Sequence, residues 1–285
     1  MAMLTTQTLS SDSQAQEKKK LSDNELQAFV NLLADSEERM LHLMAQQLVN
    51  FDDSSLKKIN ELSNASSDEQ LIENWYHASQ SFLEAQLKLW RQEPDLEEGL
   101  FLLARFENPG LDVEKYKDIL DAYAQRVESF LTPASTQDEV MKNIIKVLFK
   151  EENFVGNQID YYDINNNFIN TVIDFKTGNP IMLSAIFILV AKRLGLNVEG
   201  VGTPGHFIVR HGDRLYDPFF AGREITKDEC VLRAQELSVF WRDEYLDAID
   251  ETFIIARCIR NLIAIYKKND NLDKAEEINA LLKTI

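Results

Sequence analysis

Apolar residues recur every three or four positions along the first half of the chain, the spacing that places them on one face of an α-helix. Leu26, Val30 and Leu33 form one such stripe, with polar residues between them. From about residue 22 onward, the pattern predicts helices at 24–34, 37–49, 68–92, 96–107 and 113–131. We interpret these stripes as the core-facing sides of packed helices rather than as a ligand groove.

Several helix starts are indicated by a Ser or Thr followed three residues later by Glu or Gln, the signature of a capping box. In this motif the hydroxyl accepts a hydrogen bond from a free backbone N–H, and the later side chain returns a bond to the capping residue. The pairs are Ser22 with Glu25, Ser67 with Gln70, Thr136 with Glu139 and Thr226 with Glu229.

The pattern changes after about residue 150. Residues 157–170 are dense in Asn, Asp and Tyr, which is typical of a structured loop. Asn179 then caps a helix with Pro180 at its first position, where the missing N–H costs nothing. This helix runs to Leu194 and is apolar nearly all round, so we expect it to be buried at the centre of the fold.

Three short segments beyond that helix have the features of β-strands. Breaks at Pro204-Gly205 and Gly212-Asp213 separate them, and Gly-Asp suits the tight turn of a hairpin. The predicted strands are 198–202, 206–211 and 214–217.

The chain divides by pattern into four regions. Residues 1–20 are polar and predict a disordered lead-in. Residues 21–94 predict an N-terminal helical region whose first two helices resemble a HEAT repeat. Residues 95–245 are expected to form the core with its preceding helices. Residues 246–285 predict two helices that either resemble a tetratricopeptide hairpin or form a clasp on the core.

Composition excludes several classes of protein. The formal net charge is -17, which repels phosphate backbones, so we expect no nucleic-acid partner. Residues 1–20 lack the apolar run of a secretory signal. The longest apolar run, 185–191, is too short to cross a bilayer. We therefore expect a cytoplasmic protein with no membrane partner.

His206 and Asp217 are the sharpest candidates for chemistry. A carboxylate eleven residues beyond a histidine can lie across a hairpin from it and hold the imidazole in one tautomer. Gly205, just before the histidine, permits the close approach of another chain segment. The alternative is structural, because a buried His–Asp hydrogen bond can simply staple two strands.

A nucleophile for this pair belongs at a helix N-terminus, where the helix dipole favours an anion. Pro180 occupies that place, and no cysteine is near it in sequence. Ser184, one turn further along, is a weak candidate because a mid-helix serine lacks exposed N–H donors for an oxyanion. Cys230 and Cys258 are interpreted as small buried hydrophobic residues.

We expect neither a metal nor a cofactor. Cys230 and Cys258 are too far apart in sequence for a zinc motif. His211 lies five residues beyond His206, so a regular strand points the two imidazoles to opposite faces. The Asp and Tyr residues at 160–163 do not fit the register of a calcium-binding loop.

As a set, these residues resemble the SirB-type branch of the transglutaminase-like superfamily. The resemblance covers about residues 95–285 and includes an Asp-Leu-Glu-Glu-Gly segment at its start and the closing helices. Its central motifs are Gly156-Asn157 with Asp160-Tyr161-Tyr162-Asp163, Gly178-Asn179-Pro180-Ile181-Met182-Leu183-Ser184, and Gly200-Val201-Gly202 with Pro204-Gly205-His206-Phe207-Ile208-Val209-Arg210 and Asp217-Pro218-Phe219.

The resemblance implies an α+β fold, mostly helical, with a papain-like core in which a central helix packs on a small antiparallel sheet. In active members of the superfamily, the helix N-terminus carries a cysteine, followed by a histidine and an aspartate. His206 and Asp217 match the last two, whereas Pro180 falls at or next to the cysteine position. The branch is linked loosely to bacterial regulation and protein turnover.

The sequence thus indicates a bacterial pseudoenzyme that binds a protein or peptide through a remnant cleft at His206 and Asp217 and through its helical hairpins. The alternative is a hydrolase or acyl transferase that uses Ser184 or a cysteine with the same pair. The oligomeric state is not indicated. Residues expected to line the cleft are Asn157, Tyr161, Gly178, Asn179, Pro180 and Gly205.

Overall fold

The computed structural model describes residues 18–285, which are mostly helical with two small sheets, confirming the predicted α+β class. The helices are α1 (Asp23–Ala34), α2 (Glu38–Leu48), α3 (Asp53–Asn64), α4 (Glu69–Trp90), α5 (Leu96–Ala104), α6 (Val113–Glu128), α7 (Gln137–Ile145), α8 (Ile169–Phe175), α9 (Pro180–Arg193), α10 (Lys227–Glu236), α11 (Glu251–Lys268) and α12 (Leu272–Leu282). The strands are β1 (Val155–Gly156), β2 (Thr177–Gly178), β3 (Glu199–Val201), β4 (Ile208–His211), β5 (Arg214–Asp217) and β6 (Arg223–Ile225).

Most of the predicted lead-in at 1–20 lies outside the described residues. Within its last three positions, Lys19 forms a parallel bridge with Phe51. The Lys19 backbone N–H donates to the Asn50 carbonyl oxygen over 2.7 Å. The described chain is therefore attached to the helical region from Lys19 onward.

Three of the predicted capping boxes are confirmed, those at Ser22, Thr136 and Thr226. The prediction at Ser67 is wrong, because the next residue caps α4. The Asp68 carboxylate accepts the backbone N–H of Gln70 over 3.0 Å and that of Leu71 over 3.4 Å. A carboxylate satisfies these free donors and also interacts favourably with the positive end of the helix dipole.

Two large hydrophobic cores meet inside α4. Its first half, including Trp75 and Phe82, packs with α1, α2 and α3. Its second half, including Leu87 and Trp90, belongs to the main core, which extends to α12. The predicted boundary at 94–95 thus lies just beyond a helix that contributes to both cores.

The main core is built around α9, as its apolar sequence predicts. This helix contacts α5, α6, α7 and α8 on one side and β3 and β4 on the other. Eleven of its residues are buried, which explains why its sequence has no polar stripe. A helix buried on all sides gives the neighbouring site a fixed support.

The main sheet is antiparallel with strand order β3-β4-β5-β6, and β6 was not predicted. Val209 and Tyr216 form a cross-strand pair whose side chains belong to the α9 core. Alternate residues such as Ile208 and Leu215 belong to a third, smaller core with Cys230 of α10. The sheet therefore separates α9 from α10, following the period-two alternation of strands.

The C-terminal helices α11 and α12 pack against each other and against the main core. Ile255, Ile259 and Ile278 are fully buried there. Within residues 18–285, no helix is both long and apolar enough to cross a membrane.

Candidate functional site

The loop before α8 and the start of α9 are joined by asparagine side chains. The Asn179 carboxamide accepts the Met182 N–H over 2.8 Å and donates to the Asn167 side chain over 2.6 Å. Asn157 donates to Asn166 over 3.0 Å, and its backbone N–H bonds the Gly178 carbonyl over 3.0 Å. Asparagine side chains thus provide hydrogen-bond partners to both the loop and the first turn of α9. These bonds hold the loop over the N-terminus of the helix.

The two positions considered for a nucleophile on α9 are both buried. Pro180 occupies the first helical position and carries no nucleophilic atom. Ser184 is fully buried, and its hydroxyl has no hydrogen-bond partner among the described residues. The structure therefore places neither residue in hydrogen-bond contact with His206.

His206 and Asp217 form the predicted hydrogen bond. The distance from His206 Nε2 to Asp217 Oδ2 is 2.8 Å, and the two side chains are 6% and 0% exposed. A carboxylate only accepts, so Nε2 carries the proton in the neutral imidazole and Nδ1 carries the lone pair. His206 itself was predicted to lie in a strand, but it precedes β4 by two residues.

Asp217 is held by contacts from three directions. Its Oδ1 accepts the Phe219 N–H over 3.2 Å. Its Oδ2, besides binding His206, lies 3.8 Å from Arg233 Nη1 of α10. A fully buried carboxylate needs such partners. Asp217 therefore links the end of β5 to the turn that follows it and to α10.

Aromatic rings connect His206 to the loop over α9. Phe219 lies edge-on to His206, with ring centroids 5.9 Å apart, and edge-on to Tyr161 at 6.2 Å. Gly156 is pressed against Phe219 so closely that an added Cβ would lie 2.5 Å from its carbonyl oxygen. The glycine thus permits Phe219 to bridge the start of α9 and the imidazole.

A cavity of ≈ 10 Å³, room for about one water molecule, lies beside His206. Its lining includes Cys230 and Arg233 from α10, whereas Pro180 and Ser184 do not line it. The imidazole thus borders the α10 side of the sheet. The sequence could not show this, because it does not define on which face of the sheet α10 packs.

Both cysteines are buried. Burial raises the pKa of the Cys230 thiol, an effect that the nearby Arg233 guanidinium only partly offsets. Burial raises the pKa of Cys258 to about 12. Because the thiolate is the reactive form, neither residue has the electrostatic setting of an activated nucleophile.

Arg257 of α11 is a site residue that sequence reasoning missed. Its Nη2 donates to the carbonyl oxygens of Thr203 and His206 over 3.2 and 2.9 Å. An arginine on an amphipathic helix normally indicates a solvated face, so its sequence position alone gives no signal. The resemblance of this segment to the SirB-type branch was the one available indication.

Side chains from four segments surround His206 on the outside of the molecule. Phe220 lies 6.2 Å from the imidazole between ring centroids. Leu237 lies directly against Gly205, which has φ +65° and leaves no room for a Cβ there. We call the exposed or partly exposed residues around the imidazole the His206 surface, namely Tyr161, Phe220, Arg233, Leu237 and Arg257.

Metal ligands are not clustered in the described part of the chain. Between residues 18 and 285, no group of three or more His, Cys, Asp or Glu side chains is arranged to hold a metal ion. His211 instead bonds the Asn197 carbonyl oxygen through Nδ1 over 2.8 Å.

The fold and the His–Asp pair together define a papain-like core. Residues 114–260 match the sequence family described as the transglutaminase-like superfamily. That segment is just over half of the 285-residue chain and includes α9, the main sheet and the pair. The chain therefore belongs to the transglutaminase-like superfamily.

Similar proteins come from bacteria and from animals. A UPF0162 protein of Xylella fastidiosa (strain Temecula1 / ATCC 700964) is 34% identical over 61% of this chain and 66% of its own length. F-box only protein 21 of Mus musculus is 25% identical over 71% of this chain and 38% of its own length. The chain thus spans less than two thirds of each of these relatives. No solved structure matches it.

Proposed function

We propose that this chain is a non-catalytic, cytoplasmic bacterial protein of the SirB-type branch that binds a peptide segment of a partner at the His206 surface. The observation that carries the proposal is the pairing at His206. Nε2 is bound to buried Asp217, whereas Nδ1 makes no hydrogen bond to any residue between 18 and 285. A pair positioned for catalysis thus lacks a nucleophile in contact with it.

The exposed surface supports binding. Phe220 and Leu237 are 37% and 52% exposed although both are large and apolar. Phe220 lies beside the imidazole and Leu237 lies against Gly205, the residue before it. Apolar side chains on a rigid surface with nearby polar groups are the usual elements of a peptide-binding site.

The relatives and the flanking helices also support a role as a protein-interaction domain. The match to F-box only protein 21 covers 38% of that protein, so a related core occurs inside a longer chain. We also propose that α11 and α12 form a tetratricopeptide-like hairpin and residues 21–94 a HEAT-like region, each offering further contact surface. The short turn between Lys268 and Leu272 supports the hairpin assignment.

Selection of peptides from a random display library on the immobilised protein tests the proposal. We expect selected peptides to bind Leu237→Ser about tenfold more weakly than the wild-type protein, since a contact residue of a hot spot contributes at least this much. Fluorescence anisotropy with the labelled peptides measures the affinities.

Leu89→Ser is the matched control, because Leu89 is 57% exposed and lies on α4. The proposal would be overturned if the selected peptides bound both variants equally weakly, or if neither substitution weakened binding. Either result would show that the peptides bind elsewhere. Unchanged affinity of His206→Gln for every selected peptide would likewise overturn the proposal.

One observation favours an enzyme as the second candidate: Cys230 and His206 line the same cavity. In this alternative, a hydrolase or acyl transferase would use the α10 thiol instead of one on α9. The raised pKa of Cys230 opposes it, because little thiolate is present at neutral pH.

Alkylation distinguishes the two functions. In a Cys258→Ser background, we expect iodoacetamide to modify Cys230 at neutral pH more slowly than it modifies glutathione, and at the same rate after His206→Gln. The rate should rise with pH as the thiolate forms. Modification faster than glutathione that is lost with His206→Gln would instead establish an activated thiol.

A further inference from the structure

Arg257 is a partly buried guanidinium whose charge is not balanced by a carboxylate in the described part of the chain. No Asp or Glu between residues 18 and 285 lies within ion-pair distance of it, although Arg105, Arg193, Arg210 and Arg223 all have such partners. Burial lowers its pKa below the ordinary value. Because burial of an uncompensated charge is costly, a carboxylate supplied by a ligand would be stabilising here.

The guanidinium is held in place but retains free donors. Nη2 is anchored on two backbone carbonyl oxygens of the turn that carries His206. Nη1 lies over Gly202, where an added Cβ would come within 2.8 Å of it. Nε and Nη1 donate to no described residue, and neither is among the fully buried unpaired atoms. A fixed guanidinium with open donors is suited to a carboxylate.

Two further guanidinium groups, those of Arg223 and Arg233, lie around His206. Burial raises the pKa of Tyr161, whereas Arg257 and Arg233 both act to lower it, so the phenol lies within range of both guanidinium groups. Arg233 stacks over the Phe220 ring at 5.6 Å, as does Arg223 at 5.8 Å. Arg223 is paired with Glu229 and Arg233 lies 3.8 Å from Asp217, so Arg257 is the guanidinium of this group that has no carboxylate partner among residues 18–285.

Exposed apolar side chains lie near these arginines. Leu237 lies against Gly205 on one side. Phe253, 61% exposed, precedes Arg257 by one helical turn and so shares its face of α11. Phe253 therefore places an exposed apolar ring near Arg257 on the same face of α11.

We propose that Arg257, assisted by Arg233, binds a carboxylate side chain of the partner peptide, and that an apolar residue next to that carboxylate packs on the His206 surface. The inference rests on the proposed function and specifies the ligand as an acidic segment with aromatic or aliphatic neighbours. The carboxylate would accept hydrogen bonds from the free nitrogens of Arg257.

Two blocked tripeptides test the inference, acetyl-Phe-Glu-Phe-amide and its uncharged counterpart acetyl-Phe-Gln-Phe-amide. Binding is followed by NMR through the Arg257 Nε–H signal and the His206 ring signals of the full chain. We expect the Glu peptide to shift both sets of signals and to bind about tenfold more tightly than the Gln peptide, since hydrogen bonds to charged groups contribute this much.

Three results would overturn the inference in distinguishable ways. Equal binding of both peptides at His206 would leave the peptide site standing but remove the carboxylate subsite. No shift with either peptide would count against both the subsite and the proposed function. Equal shifts of the Arg257 signal with sodium acetate or inorganic phosphate alone would show a general anion site rather than a peptide site.

Substitutions of the arginines test which side chain causes the preference for the Glu peptide. Arg257→Gln should abolish the preference for the Glu peptide over the Gln peptide, and Arg233→Gln should reduce that preference severalfold. The second variant keeps the test valid if loss of the Arg257 anchor unfolds the turn. Arg126→Gln is the matched control, since this arginine lies on α6 and pairs with Glu151 rather than with a residue of the His206 surface. A preference that survives both Arg257→Gln and Arg233→Gln would contradict the assignment.

Discussion

Replacement of Asp217 by Ala is expected to lower the free energy of unfolding by about 2–5 kcal/mol, because each buried donor left without an acceptor costs about 1–3 kcal/mol. Asp217 is fully buried, and its loss leaves His206 Nε2 and the Phe219 N–H without their hydrogen-bond acceptor. It also removes the carboxylate that lies 3.8 Å from Arg233 Nη1. Urea denaturation followed by circular dichroism measures the change. Asp217→Asn should cost less, because an amide oxygen still accepts one of these bonds.

Asp138→Ala serves as the control for Asp217→Ala. Asp138 pairs with Arg214 at 3.0 Å, but its side chain is 57% exposed. We expect a loss of only about 0.5–1 kcal/mol from the exposed ion pair and the helix dipole. Similar losses for the two variants would show that the His206–Asp217 pair contributes no more than a surface contact.

Local signals made much of the helical structure predictable. Ser22, Thr136 and Thr226 each satisfy free N–H groups at a helix start, and a three-residue spacing to Glu is sufficient to recognise this. The same reasoning misassigned Ser67, because it did not weigh the competing carboxylate of Asp68 one position later. α9 was predictable from Asn179 and Pro180 together with an apolar sequence that only a buried helix tolerates.

Elements that depend on distant contacts were not predictable. α8 has seven residues, too few for a periodic pattern. β6 has three, and its place is fixed by pairing with β5. The π-helical turn at Lys146–Glu151 follows α7 without any break in the sequence. In each case the tertiary environment selects a conformation that the local sequence does not favour.

The candidate site also has a part that the sequence predicts and a part that it does not. The His206–Asp217 pair was predictable because hairpin geometry brings the two residues together. Its surroundings were not, since the approach of Arg233 and Cys230 depends on α10 crossing the face of the sheet opposite α9. Arg257 was missed for a similar reason, because its anchoring carbonyls at Thr203 and His206 are distant in sequence.

A second buried pair joins the N-terminal helices to the main core. Asp53, the first residue of α3, accepts from Arg105 Nη2 over 2.5 Å and from the Val113 N–H over 3.2 Å. The two side chains are 13% and 7% exposed. Arg105 Nε is already buried without an acceptor. Among residues 18–285, Asp53 is the carboxylate that balances the charge of the Arg105 guanidinium.

Asp53→Ala is therefore expected to lower the free energy of unfolding by about 3–5 kcal/mol, because it leaves Arg105 charged, buried and unpaired. Urea denaturation measures the loss, and hydrogen exchange should show weakened protection in α3 and at the start of α6. Asp53→Ala/Arg105→Met should recover about 1–2 kcal/mol, since the buried charge is then gone. Glu61→Ala, which breaks an exposed pair with Lys58 on α3, should cost no more than about 0.5 kcal/mol. Equal losses for Asp53→Ala and Glu61→Ala would mean that the N-terminal helices are held to the core by apolar packing alone.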